Sequence, residues 1–252
     1  MRVPLLVHNI MLLIGVSINT LPNPSSSSTL PSSSSVTLPS SSITLPSSSY
    51  DDYSTKYDVI NSGITTQLLG IDAMRSAAGE YASGSTLEIA IGTALQSDYY
   101  DWNKIRSFYG IDNSIGMLDI ANNKIKSSSQ SKVPIELTTM DATQLAYQSN
   151  NFDTVIDTFS MCVFPEPSQV LKEMVRVVKD NGKIILLENS VSTNPILRSL
   201  QDLFEPIVTP YSKNCRWNVD VPELAKNEGL KSIEYKDIQS GTIMLGVYTK
   251  NK

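Results

Sequence analysis

The chain has 252 residues, 25 of them acidic and 20 basic, and a net charge of −5 at pH 7. Acidic and without a Lys/Arg cluster, it is poorly suited to gripping phosphate backbones, so nucleic acid is not an expected partner. Its sole histidine, His8, lies near the N-terminus. The rest of the chain therefore has no Ser-His-Asp or Cys-His machinery, and no metal site is expected.

Residues 1–49 carry one charged side chain, Arg2, and cannot belong to an ordinary soluble core. Within 1–20 an apolar run of about 14 residues follows that arginine, the length of a signal-peptide core and short of the roughly 20 a membrane span needs. Residues 21–49 repeat TLPSSS from Thr29, Thr37 and Thr44. With almost no large apolar side chains, that tract cannot offset its ordering entropy and reads as a linker or part of a targeting segment. The two stretches together predict delivery to an organelle or endomembrane, with membrane association through the leader. From Tyr50 to Lys252 the composition suits one globular domain, expected to be a monomer. Cys162 and Cys215 stand far apart in no CxxC pattern, and two free thiols are the preferred reading over a disulfide.

Lys56 to Tyr81 reads as a helix, with Ile60, Ile64, Leu68 and Ile71 at helical spacing. TLEIAI, from Thr86, is a strand, and SFYGID is a second, ending on Asp112. A helix follows with Leu118, Ala121 and Ile125 on one side and Asn113 or Ser114 as its cap. VPIELTT is a third strand and FDTVIDTF a fourth. Glu166 to Val178 forms a helix with Pro167 in its first turn, stopped by Asp180-Asn181-Gly182. KIILLE is apolar on both faces, as a central parallel strand should be. Helices are predicted near Pro195 to Phe204 and Val221 to Glu228. The strands KSIEYKDI and TIMLGVYTK close the chain, and three residues between them predict an antiparallel hairpin. The alternation predicts a doubly wound α/β sheet of seven strands, mostly parallel with an antiparallel C-terminal strand.

In such a sheet a ligand sits beyond the strand carboxyl ends, where a turn after the first strand must admit it closely. Here that turn is Glu88-x-Ala90-x-Gly92-Thr93-Ala94, with glycine only at its middle position. Asp112 ends the second strand, where a carboxylate can accept both ribose hydroxyls, and Asp141 heads the loop after the third, where an acid can meet an adenine amino group.

LEIAIGTA, YGIDNSIGMLDIA and the run from MDATQLAY to KIILLEN resemble the consecutive motifs of class I S-adenosylmethionine-dependent methyltransferases of the type 11 group. DTFSMCVFPEP and NCRWNVDVPEL are similar to a branch that includes membrane-associated thiol methyltransferases and a mitochondrial inner-membrane relative. The resemblance implies S-adenosylmethionine as cofactor. It places Glu88, Ala90, Gly92 and Thr93 at the methionine moiety, and Asp112, with Asn113 beside it, at the ribose. Asp141 and Ala142 fall at the adenine, Thr158 and Phe159 under the sulfonium. Ala94 departs from the glycine usual in the family, and its methyl group is expected either to crowd the cofactor or to be absorbed by a small backbone shift.

Methyl transfer from a sulfonium needs alignment and a water-poor pocket more than a strong base, so the missing histidine is no objection. The expected activity is methylation of a small, apolar acceptor: a thiol, a quinone or a lipid-like molecule. Asp157, Tyr57 and Glu188 are conceivable proton acceptors, with structural roles the better reading. The catalytic residues are not identified. The alternative is a degenerate methyltransferase fold acting as a membrane-tethered binding or assembly protein. A nicotinamide oxidoreductase would share the acid after the second strand but lacks the glycine spacing and the closing hairpin.

Overall fold

In a computed structural model, seven strands pair into one sheet in the order β3-β2-β1-β4-β5-β7-β6. The structure describes residues 67, 69–127, 133–212 and 214–251. The strands are β1 (Gly84–Ile89), β2 (Ile105–Asp112), β3 (Ile135–Thr139), β4 (Phe152–Thr158), β5 (Val178–Asn189), β6 (Leu230–Ile238) and β7 (Ile243–Lys250). The first five pair in parallel, while β7 runs antiparallel to both β5 and β6. Strand order reverses between β1 and β4, and parallel sheets bind ligands beyond the carboxyl ends at such a switch point.

Helices α1 (Ile71–Tyr81) and α2 (Ile115–Ser127) cover one face. Met74, Ala78, Leu118, Ala121 and Ile125 pack there against Phe108, Ile156 and Ile185. Helices α3 (Pro167–Val177) and α5 (Val221–Asn227) cover the other, setting Val170, Met174, Val177 and Ala225 against Leu87, Val155 and Ile184. Helix α4 (Pro195–Val208) begins where Asn194 Oδ1 accepts the Ile196 and Leu197 amides, a side-chain N-cap. Ser114 caps α2 in the same way, its Oγ accepting from the Met117 amide at 3.2 Å.

The first helix does not run unbroken from Lys56. Gly70 takes a left-handed φ of 78°, and α1 starts only at Ile71; the upstream positions Ile60, Ile64 and Leu68 lie outside the described residues. Helix α3 ends at Val177, and Asp180-Asn181-Gly182 falls inside β5. That segment bulges, since Phe152 pairs with Val178 while Thr154 pairs with Lys183.

The expectation of two free thiols is corrected: Cys162 and Cys215 form a disulfide, their Cα atoms 4.7 Å apart. The fold brings the loop after β4 against the segment before α5, a proximity that spacing along the chain does not reveal. Arg216 seals the same junction, donating from its backbone N to the Cys162 carbonyl and from its guanidinium to the Phe164 carbonyl.

The expectation of membrane association and of an organelle- or endomembrane-held location is corrected as well. Among the described residues no helix is long and apolar enough to cross a membrane. At 14 residues, α4 is about 21 Å long against a hydrocarbon core of about 30 Å. The signal-peptide- or anchor-like stretch 1–20 and the tract 21–49 lie outside the described residues.

Candidate functional site

The turn after β1 is built on left-handed backbone. Ala90, Gly92 and Ala94 have φ of 47°, 57° and 61°. Left-handed geometry costs an L-residue about 1–2 kcal/mol, so two alanines here carry strain that glycine would avoid. The Ala94 methyl is fully buried in the core cluster that contains Met74 and Ala78 of α1. It fills protein space, and its cost lies in the backbone. At Gly92 an added Cβ would meet nothing nearer than the Ala90 carbonyl oxygen at 3.9 Å. No neighbouring protein atom demands a glycine there; the φ does, and the space beside it is open to a ligand.

Asp112 closes on this turn. Its Oδ2 accepts from the Gly92 amide and its Oδ1 from the Ser114 amide, each at 2.9 Å. A carboxylate oxygen can accept more than one hydrogen bond, so these bonds orient the group without barring it from ribose hydroxyls. Asn113, the next residue, is exposed. The Met140 amide donates to the Asp112 carbonyl at 3.0 Å, bringing the end of β3 alongside. Asp141 itself holds a local turn, accepting from the Thr143 amide and hydroxyl at 2.8 and 2.7 Å, while Ala142 is buried in the core. The structure thus joins Gly92 to Asp112 directly and leaves Asp141 as an exposed turn-former a few residues away.

Glu88 is 1% exposed, and Tyr100 donates its hydroxyl to Glu88 Oε2 at 2.8 Å. Burial pushes its pKa up from 4.5 to about 8, against the opposing effects of the Tyr100 hydrogen bond and the Arg75 charge. Thr93 is fully buried. Thr158 and Phe159 lie at the end of β4, next to the β1 turn, because Ile89 pairs with Asp157. Phe159 has a left-handed φ of 58°, unusual for a bulky side chain, and the Arg75 guanidinium sits 5.0 Å from its ring centroid.

Two features escaped sequence reasoning: the pairing of Asp157 with Glu188, each named above only singly as a conceivable proton acceptor, and the burial of Arg75. Asp157 and Glu188 face each other, both fully buried, at the carboxyl ends of β4 and β5. Glu188 accepts from the Ser160 and Met161 amides at 3.3 and 3.2 Å, and the Ser160 hydroxyl donates to Asp157. Two adjacent buried carboxyls cannot both ionise. Burial raises Asp157 to about 6, and burial together with the Asp157 charge raises Glu188 further. This pair fixes the loop after β4. Acids at matching places in two apolar runs, VIDTF and ILLEN, were the available signal. Arg75 is the second group. It occupies a core position of the 71, 74, 75, 78 stripe, where a basic residue is anomalous.

A concavity of about 550 Å³ between α2 and β3, lined by Ile115, Leu118, Leu137 and Thr139 among others, contains none of the expected cofactor residues. Among the described residues no cluster of His, Cys, Asp and Glu could hold a metal ion.

Comparison with known proteins bears on the family and the fold. The family described as "Methyltransferase domain" matches residues 87–186. A demethylmenaquinone methyltransferase of Bacillus mycoides is 32% identical over 164 residues, 57% of this chain and 68% of that protein. The mitochondrial methyltransferase OMS1 of Saccharomyces cerevisiae is 24% identical over 178 residues, 65% of this chain and only 37% of the yeast protein's length. A solved S-adenosylmethionine-dependent methyltransferase from Aquifex aeolicus superposes with a TM-score of 0.54 at 15% identity, covering 77% of this chain and 96% of that one. At that identity it speaks for the fold alone. The chain belongs to the methyltransferase-domain family, whose cofactor is S-adenosylmethionine.

Proposed function

We propose that this protein transfers a methyl group from S-adenosylmethionine to a small acceptor of quinone-, lipid- or thiol-like character, within a catalytic unit spanning residues 50–252. The observation that carries this reading is the Asp112 carboxylate bonded to the Gly92 amide across two adjacent strand ends. This is the arrangement a bound nucleoside needs at a switch point. The relative from Bacillus mycoides, named for a quinone-type acceptor, supports the acceptor class.

In this reading Asp112, Asn113, Asp141 and Ala142 hold the nucleoside. Glu88, Ala90, Gly92 and Thr93 line the amino-acid end, with Thr158 and Phe159 beneath the sulfur. When bound, the cofactor supplies a methyl group on a positively charged sulfur. The chain's part is to hold donor and acceptor in line and to exclude water, which together can lower a barrier by about 7–11 kcal/mol. The buried Asp157–Glu188 pair anchors the loop that would meet the acceptor. An acceptor thiol needs no strong base, because some thiolate already exists near neutral pH.

Calorimetric titration of the full chain with S-adenosylmethionine tests the reading. One-to-one binding is expected, weakened about tenfold or more in Asp112→Asn, since a buried hydrogen bond to a charged group is worth about 1.5–3 kcal/mol. Absence of heat at millimolar cofactor would end it. Methyl-labelled cofactor offered with quinone, lipid and thiol acceptors then identifies the substrate class.

A further inference from the structure

The Cys162–Cys215 bond joins two loops rather than two regular elements: the turn that follows β4 and the segment that precedes α5. Its two halves are unlike. Cys162 is 2% exposed, in a turn closed by the Val163 amide on the Ser160 carbonyl and fixed by Glu188, which accepts the Ser160 and Met161 amides. Cys215 is only half-buried and follows Asn214, whose φ of 61° is left-handed. Bonds within its own short turn hold it: its amide donates to the Ser212 carbonyl, and its carbonyl accepts from the Ser212 hydroxyl. One half of the link is therefore sealed in the core, and the other reaches the surface.

Arg216 suits this link to opening and closing. Its guanidinium donates to the Phe164 carbonyl at 2.6 Å and its backbone N to the Cys162 carbonyl at 2.9 Å. Among the described residues no carboxylate pairs with it. A cation held beside two cysteines favours the thiolate, the form that attacks and departs in disulfide exchange. Neither of these bonds involves a sulfur, so both keep the two cysteines within reach of each other once the link is broken.

We propose that the Cys162–Cys215 bond is an exchange site for a small-molecule thiol. The thiolate of that molecule attacks the Cys215 sulfur and forms a mixed disulfide there, while the protein's sulfur–sulfur bond breaks and Cys162 leaves as a thiolate. A second molecule of the thiol attacks the first at its sulfur, releasing a small disulfide and the Cys215 thiolate. The protons given up by the two small thiols end on the two cysteines. Opening the bond loosens the turn after β4. On the functional reading above that turn adjoins the acceptor, so the exchange acts on the acceptor side and leaves the Gly92–Asp112 side alone; only this consequence rests on that reading.

The test uses glutathione on the full chain. Wild type in millimolar reduced glutathione should lose the bond, read by mass spectrometry as two alkylatable cysteines, while its circular dichroism stays that of the folded protein. A bond that opens only in urea overturns the proposal and leaves a structural crosslink, and this arm needs no variant. Oxidised glutathione reads the point of attack. Cys162→Ser, which keeps the half-buried Cys215, should be modified at least about tenfold faster than Cys215→Ser, which keeps the sealed Cys162. Equal or reversed rates overturn the assignment of Cys215. Hydrogen exchange at the Ser160 and Met161 amides should be at least about tenfold faster in the opened protein, and unchanged exchange overturns the loosening of the turn. None of these readouts involves cofactor or acceptor, so failure to bind S-adenosylmethionine would end the methyltransferase reading and leave the exchange site standing.

Discussion

At Glu88 a carboxyl group is almost wholly buried and, among the described residues, takes its hydrogen bond from a tyrosine hydroxyl. Its pKa is raised from 4.5 to about 8, so between those values the folded chain holds a proton that the unfolded chain has lost. Stability therefore falls as pH rises through that window, with a slope from this group approaching about 1.4 kcal/mol per unit. Asp157, raised to about 6, and Glu188 act in the same direction. Glu88→Gln keeps an acceptor for Tyr100 and cannot ionise. Thermal melts from pH 5 to 8 should show the variant gaining on wild type as pH rises, and parallel curves would clear Glu88 of the effect. The β1 turn offers a second comparison. Ala90 is half-buried and Ala94 fully buried, both left-handed. Ala90→Gly should stabilise by about 0.5–1 kcal/mol in urea, the relieved strain exceeding glycine's entropy in the unfolded chain. Ala94→Gly should come out near neutral, because it also gives up a buried methyl group worth about 0.8 kcal/mol. If Ala94→Gly gained more than Ala90→Gly, the strain would have been misplaced.

Helix α1 lies so close to the turn Leu95–Tyr99 that a Cβ on Gly79 would fall on the Tyr99 carbonyl. Alanine normally favours a helix over glycine by about 1 kcal/mol. Here the backbone it meets cannot swing aside, so Gly79→Ala should destabilise by about 1–3 kcal/mol, read as a lower urea midpoint. A stabilised variant would mean that α1 can shift. The same elements show what the residue order can tell. Alternating apolar strands, Pro167 at the start of α3 and the short Gln239–Gly241 connection made the sheet and its closing hairpin legible, because each is a local signal. Gly70 breaks a periodicity that otherwise runs straight through it, and one glycine in a helical pattern is too weak a sign of a stop. That Gly92 and Asp112 lie side by side could be expected from their positions after neighbouring strands. The contacts of Arg75, the pairing of Asp157 with Glu188 and the Cys162–Cys215 bond could not, since each depends on which distant segments the fold brings together.

Across the whole molecule, the two cysteines are 53 positions apart. Closing a loop of that size restricts the unfolded chain by about 4 kcal/mol in the chain-entropy view. The Cys162→Ser, Cys215→Ser double variant should lose up to that much on chemical denaturation, and reduction of wild type should reproduce the loss. An unchanged midpoint in both would show that the link adds nothing to the Arg216 contacts. The bond also makes α3, β5 and α4 part of a covalent ring, with β4 lying before it and α5, β6 and β7 beyond. A protease that nicks once within exposed α4 would leave two chains, one carrying Cys162 and the other Cys215. They should migrate as a single species until a reductant is added, so the molecule can lose the continuity of its backbone and remain one piece.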